Sequence, residues 1–120
     1  MSVAIRNLAA GSLTTTTAAT PSPAAGKSWI VKSIILTNRD SVARTVDLKV
    51  VNGTGIGTGT TGYIAPPSLV VPSLSTAILN DEITLMNPTG AVTLQGLSIA
   101  ALTTPTVGID VVINGLERDV

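Results

Sequence analysis

The side chains of this 120-residue chain that are able to do chemistry are few and nearly all of one kind. There is no Cys, His or Phe, and the aromatic residues are Trp29 and Tyr63. Ser and Thr are abundant, but a hydroxyl becomes a nucleophile only beside a base, and no imidazole is present to act as one. Lys27 next to Ser28 has the letters of a Ser–Lys pair, yet neighbours on a strand point to opposite faces. The same geometry separates Asp81 from Glu82 as a carboxylate couple. Asp47 and Asp110 lie far apart in sequence and read as two solvated strand positions. No catalytic residue is expected, and the chain is read as a non-enzyme.

Binding motifs fare similarly. Gly57-Thr58-Gly59-Thr60-Thr61-Gly62 matches G-x-G-x-x-G by letter. That fingerprint works only where the glycines open a helix onto a pyrophosphate, and here Pro66-Pro67 follows with no βαβ unit around it. No cofactor is expected. Asn38, Asp40, Asn80, Asp81 and Glu82 fall in or beside turns, where calcium is often held, but their spacing is not that of a calcium loop. Turn formation explains them without a metal. Asn52-Gly53-Thr54 is a glycosylation sequon by letter and reads as a turn. A single Trp and a single Tyr suit a core or a loop anchor better than a stacking platform for sugars or single-stranded nucleic acid. Seven basic and seven acidic residues cancel. The chain therefore lacks the cationic excess that displaces counterions from nucleic acid. No nucleic acid, membrane or small-molecule substrate is expected as a partner.

The elements that must carry these residues are strands. A chain of this length makes one domain and buries about two-thirds of its unfolded surface. Ser28–Asn38 is apolar on both faces, as in an inner strand. Asn38-Arg39-Asp40-Ser41 is a turn, and Ala43–Val51 alternates, with Val46, Leu48 and Val50 on one face and Thr45, Asp47 and Lys49 on the other. Together they read as an antiparallel hairpin. The glycine-rich run Asn52–Gly62 reads as a long loop. Leu69–Val71 is a short apolar run. Ser73–Leu79 has some helical spacing after Pro72, though its surroundings favour a strand. Ile83 and Leu85 face inward from Glu82–Met86. Ala91–Leu102 is a strand with Gly96 as a bulge or kink, and Gly108–Ile113 is another. Asn114-Gly115 has the letters of a tight turn, leaving Leu116–Val120 as a tail. About eight short strands between turns predict an all-β antiparallel sandwich, jelly-roll-like. Residues 27–120 form that sandwich. Residues 1–26, with a Thr run and two prolines that keep the backbone extended, form an N-terminal arm.

One stretch resembles a known family. Pro23-Ala24-Ala25-Gly26-Lys27-Ser28-Trp29-Ile30-Val31-Lys32-Ser33-Ile34-Ile35-Leu36-Thr37-Asn38 precedes the alternating run Ser41–Val50. The pattern is similar to that of small β-sandwich structural proteins in the virions of tailed bacteriophages, where an arm enters the sandwich through an Ala-Gly-Lys turn. The ending Val112-Ile113-Asn114-Gly115-Leu116-Glu117 is also similar. The long glycine-rich segment Gly53–Gly62 departs from the pattern. The resemblance implies a virion component: a capsid decoration or cement protein, or else a neck, tail or fibre component. It implies a major capsid or other virion protein as partner, and synthesis in the host cytoplasm. The opening residues lack the basic-then-apolar pattern of a secretory signal. A receptor- or carbohydrate-binding module is the reading from a different class.

Composition permits that role. Charged residues are 12% of the chain, about half the usual share, and little else would keep copies apart. A symmetric oligomer is expected, with a trimer as one form. An extended arm can add a strand to a neighbour's sheet. The expected contact residues are Val3, Ile5, Leu8, Leu13, Thr15 and Thr17 on the arm. Ile56 and Tyr63 join them from the glycine-rich region, and Leu116 and Val120 from the tail.

Overall fold

A computed structural model describes residues 5–53, 60–88 and 94–120. Among them are nine strands and no helix: β1 (Arg6–Leu13), β2 (Lys27–Asn38), β3 (Arg44–Gly53), β4 (Thr60–Tyr63), β5 (Leu69–Val71), β6 (Thr76–Leu79), β7 (Ile83–Asn87), β8 (Leu94–Ala101) and β9 (Ile109–Asp119). They form two antiparallel sheets that pack as a sandwich. In the first sheet the order is β1-β9-β2, with β6 and β7 end to end along the far edge of β2. In the second, β3 lies between β8 on one side and the short strands β4 and β5 on the other.

The core between the sheets is aliphatic apart from one indole. Leu13, Trp29, Val31, Ile34, Leu36, Leu85, Ile109, Val111 and Ile113 enter it from the first sheet. Val46, Leu48, Val71, Leu97, Ile99 and Ala101 enter from the second. Val50 is only half-buried, although it shares the face of Val46 and Leu48.

β2 explains why its sequence looks apolar on both sides. Trp29 and Val31 are buried at odd positions, Ile34 and Leu36 at even ones. Between them the pairing with β9 slips, from Val31 opposite Gly115 to Ser33 opposite Asn114. Lys32 is the extra residue of this bulge. One face of β2 is the core face along its whole length, and the phase change belongs to the bulge. The strand on its far side changes at the same place, from β7 to β6.

Four expectations are corrected. Asn114-Gly115 is not a turn: it lies within β9, and Leu116–Asp119 continues that strand opposite Lys27–Ile30. Gly115 is required by crowding rather than by turning, since a Cβ there would sit 2.1 Å from the carbonyl oxygen of Ile30. β2 and β3 are not a hairpin, because both edges of β2 are taken by β9, β6 and β7, and β3 belongs to the other sheet. The residues between them cross from sheet to sheet. Gly96 makes no bulge; it pairs with Val51 in unbroken register. Ser73–Leu79, by contrast, takes the strand that its surroundings favour, a turn at Ser73-Leu74 leading into β6. Both ends of the loop expected over Asn52–Gly62 are strand, since β3 runs to Gly53 and β4 begins at Thr60 and pairs with it; residues 54–59 lie outside the described residues.

The N-terminal segment is built into the body. β1 pairs with β9 from Arg6 opposite Gly115 to Leu13 opposite Ile109. The chain then returns across the side of the sandwich. Ala19 exchanges both backbone hydrogen bonds with Ile99, at 2.8 and 2.9 Å, and the Pro21 carbonyl accepts from the Leu97 N–H at 2.9 Å. This return covers the outer edge of β8. Gly26, at φ 79°, then makes the turn into β2.

Candidate functional site

Two surfaces stand out, and both are built from backbone geometry more than from reactive groups. The first is the end of the sandwich where β2 crosses to β3. Asn38 is fully buried there and donates through Nδ2 to the carbonyl oxygens of Val42 (2.9 Å) and Val71 (3.1 Å). Its Oδ1 accepts from the Asp40 N–H at 2.9 Å. Asp40, buried as well, uses one carboxylate oxygen for three donors: Arg44 Nε (2.9 Å), Arg44 Nη2 (2.7 Å) and the Thr106 N–H (2.8 Å). The Thr106 N–H, with Arg44 next, holds its carboxyl below the usual carboxylate range. The Asp40 carbonyl accepts from the Leu74 N–H at 3.1 Å. One buried acid therefore ties together the β2–β3, β5–β6 and β8–β9 connections.

What those tied loops present outward is apolar. Val42 (55% exposed), Leu74 (73%), Leu102 (42%) and Val107 (47%) stand on the three connections. Leu74 sits at φ 53°, a left-handed conformation that costs a branched L-residue of order 1–2 kcal/mol. Exposed leucine on strained backbone, pinned from beneath by a buried ion pair, is a rigid apolar surface feature. None of these four residues was read from the sequence as a contact. Val42 and Leu74 sit inside turn-like strings, where a lone apolar letter carries no periodic signal.

The second surface is β1. In its partnership with β9, the inward positions are Ala9, Gly11 and Leu13, opposite Ile113, Val111 and Ile109. Only Leu13 fills its place. A Cβ at Gly11 would meet nothing within 4 Å. The result is an apolar cleft of about 230 Å³ between β1 and the return segment, lined by Ala9, Gly11, Leu13, Ala19, Ile99 and Val111 among others. The other edge of β1 is open. It is the one long open edge among the described residues, since β4, β5, β6 and β7 have three to five residues each and β8 is covered by Ala19–Pro21.

The residues expected to make contacts fall unevenly. Leu13 is 3% exposed and faces the core, so it anchors β1 internally. Leu8 is half-buried and packs against the core cluster. Ile5 is exposed just before β1, and Thr15 and Thr17 are exposed after it. Leu116 is half-buried opposite Ile30. Val120 is exposed, its N–H donating to the Gly26 carbonyl at 3.0 Å. Tyr63 is 49% exposed with Lys49 Nζ 5.1 Å from its ring centre. Val3 and Ile56 lie outside the described residues.

The groups weighed for chemistry are engaged otherwise. Lys27 pairs with Asp119, whose hydrogen bond raises the Lys27 pKa, while Ser28 is buried. Asp47 accepts from the Ser68 N–H on the second sheet, and Asp110 pairs with Arg39 on the first. Glu82 pairs with Lys32. Trp29 is buried and donates through Nε1 to Glu117 at 3.0 Å, so its ring is no stacking platform. Among the described residues no three or more carboxylates gather as a metal set. No protein family, curated protein or solved structure matches the chain.

Proposed function

We propose that this chain is a structural protein of a tailed-phage virion, a decoration or cement protein that stabilises the head by binding its surface and other copies of itself. The observation that carries the reading is the loop end, where Val42, Leu74, Leu102 and Val107 are exposed on connections locked by Asp40 and Arg44. Apolar side chains held on a rigid base bind without a large ordering cost. The likeness of the 23–50 stretch to virion sandwiches supplies the setting, with a major capsid protein as partner.

The test is to add tagged protein to purified phage particles produced without it, sediment them, and image the label. Saturable binding on heads is expected. Exchange of Val42 and Leu102 for Asp should weaken it by tenfold or more, since two apolar anchors become buried charges. Absence of binding, or label confined to neck, tail or fibres, would overturn the decoration assignment.

A further inference from the structure

We propose that β1 is an exchangeable strand: two copies of this chain trade Arg6–Leu13, each β1 pairing with the β9 of the other copy. Three observations lead there. β1 is weakly packed in its middle, because Ala9 and Gly11 leave the cleft beneath them unfilled, its side-chain hold coming from Leu8, Leu13 and the Arg6–Glu117 pair. Its connector is ready to open: Thr14–Thr17 are exposed, and among the described residues no backbone pairing outside the strands involves residues 14–18. A run of β-branched residues also favours extended backbone, so straightening it carries little conformational penalty.

The third observation concerns what waits at the other end. Leaving β9 uncovers seven ladder positions and the socket of Leu13. Those positions are matched residue for residue by β1 of any second copy, so the exchanged pair needs no contact that the closed molecule does not already make. The occupant is therefore β1 of an identical chain. The Ala19–Pro21 bridge to β8 stays in place and acts as the fixed end of the hinge. This inference rests on the self-association within the reading above and is independent of the particle.

Ala10 and Val112 face each other on the outer side of the sheet, and the chain has no native thiol. An A10C variant is mixed with a V112C variant at high concentration, and a short bismaleimide is added. Exchange places one thiol opposite the other across two chains, so covalent heterodimer should approach about half of the molecules for random pairing. The A10C/V112C double variant, dilute, should cross-link within itself. The S12C with D110C pair, two residues along the same face, repeats the measurement. G11V, which fills the cleft, should slow heterodimer formation several-fold.

A double variant that links internally while the mixture yields no heterodimer would overturn the proposal. So would A10C alone linking as well as the mixture, which is the mark of edge-to-edge contact. Light scattering separates the two levels. Oligomers without mixed cross-links sink the exchange and leave the assembly reading standing, whereas a single-copy mass at every concentration sinks both.

Discussion

At the scale of single residues, the glycines divide by what surrounds them. Gly115 has the Ile30 carbonyl where a Cβ would go. G115A should cost about 3 kcal/mol or more, because backbone rather than a side-chain tip must move. Gly11 opens onto the cleft, and G11V should raise stability by about 1 kcal/mol by filling space and suiting a strand. Urea unfolding of the two variants tests both signs together. Leu74 separates stability from contact in one position. L74G should relieve the left-handed strain and stabilise the fold by about 1 kcal/mol while weakening particle binding. A variant that is more stable and binds equally well would remove Leu74 from the contact surface. Asp40 links the same end to pH. Its native pKa is lowered, so the unfolded chain takes up the proton first on acidification. The stability it adds is fully present above its ordinary value of 3.8 and drains away as pH falls through the lower native value. D40N should flatten that part of the stability–pH curve. R44M alone should be worse than D40N/R44M, since the single change strands a buried carboxylate.

At the scale of elements, the bulge in β2 gives the sharpest test. Removing Lys32 would leave Val31 and Ser33 adjacent, with Trp29, Val31, Ile34 and Leu36 still on one face and every facing residue of β9 unchanged. That deletion should keep the fold at a cost of no more than about 2 kcal/mol. Deleting Ile35 instead would turn Leu36 outward and should abolish cooperative unfolding. Near-ultraviolet circular dichroism of Trp29 reports both. The bulge also shows where sequence reading stops. The all-β class, most strands from β2 onward and most of the core were legible, because Val, Ile and Leu alternate over β3, β7 and β9; strand order was not, and β1 and β4 lay in what read as an arm and a loop. The phase slip at Lys32 was not, since two half-strands of opposite phase look like one strand apolar on both faces. Asn114-Gly115 misled for a related reason: its letters suit a turn, but Gly115 serves a close crossing that only the assembled sheet reveals. The exposed apolar end was illegible because Val42, Leu74, Leu102 and Val107 are single apolar letters carried by three separate connections.

At the scale of the whole molecule, charge and topology matter most. Arg6, Lys27, Lys32, Arg39 and Arg44 are each paired with a carboxylate, and the net charge is zero. Such a surface projects little long-range field. Association with particles or with other copies should therefore change less than twofold between about 0.05 and 0.5 M salt, a range over which screening alters strongly charged encounters by far more. Sedimentation across a salt series checks this. Topology sets the tempo of folding. Among the described pairings only β3 with β4 joins strands that are consecutive in the chain; β1, β2, β5, β6, β7 and β8 all find partners further away. Folding dominated by such distant pairing runs in milliseconds to seconds.

The position of β9 has a consequence for synthesis on the ribosome. It is made after both of its neighbours, yet it is the one that β1 and β2 both need along their inner edges. The earliest-made residues of the first sheet therefore wait, unpaired, until 109–119 have cleared the exit tunnel. During that interval, neighbouring nascent chains on one message offer the same empty place to one another.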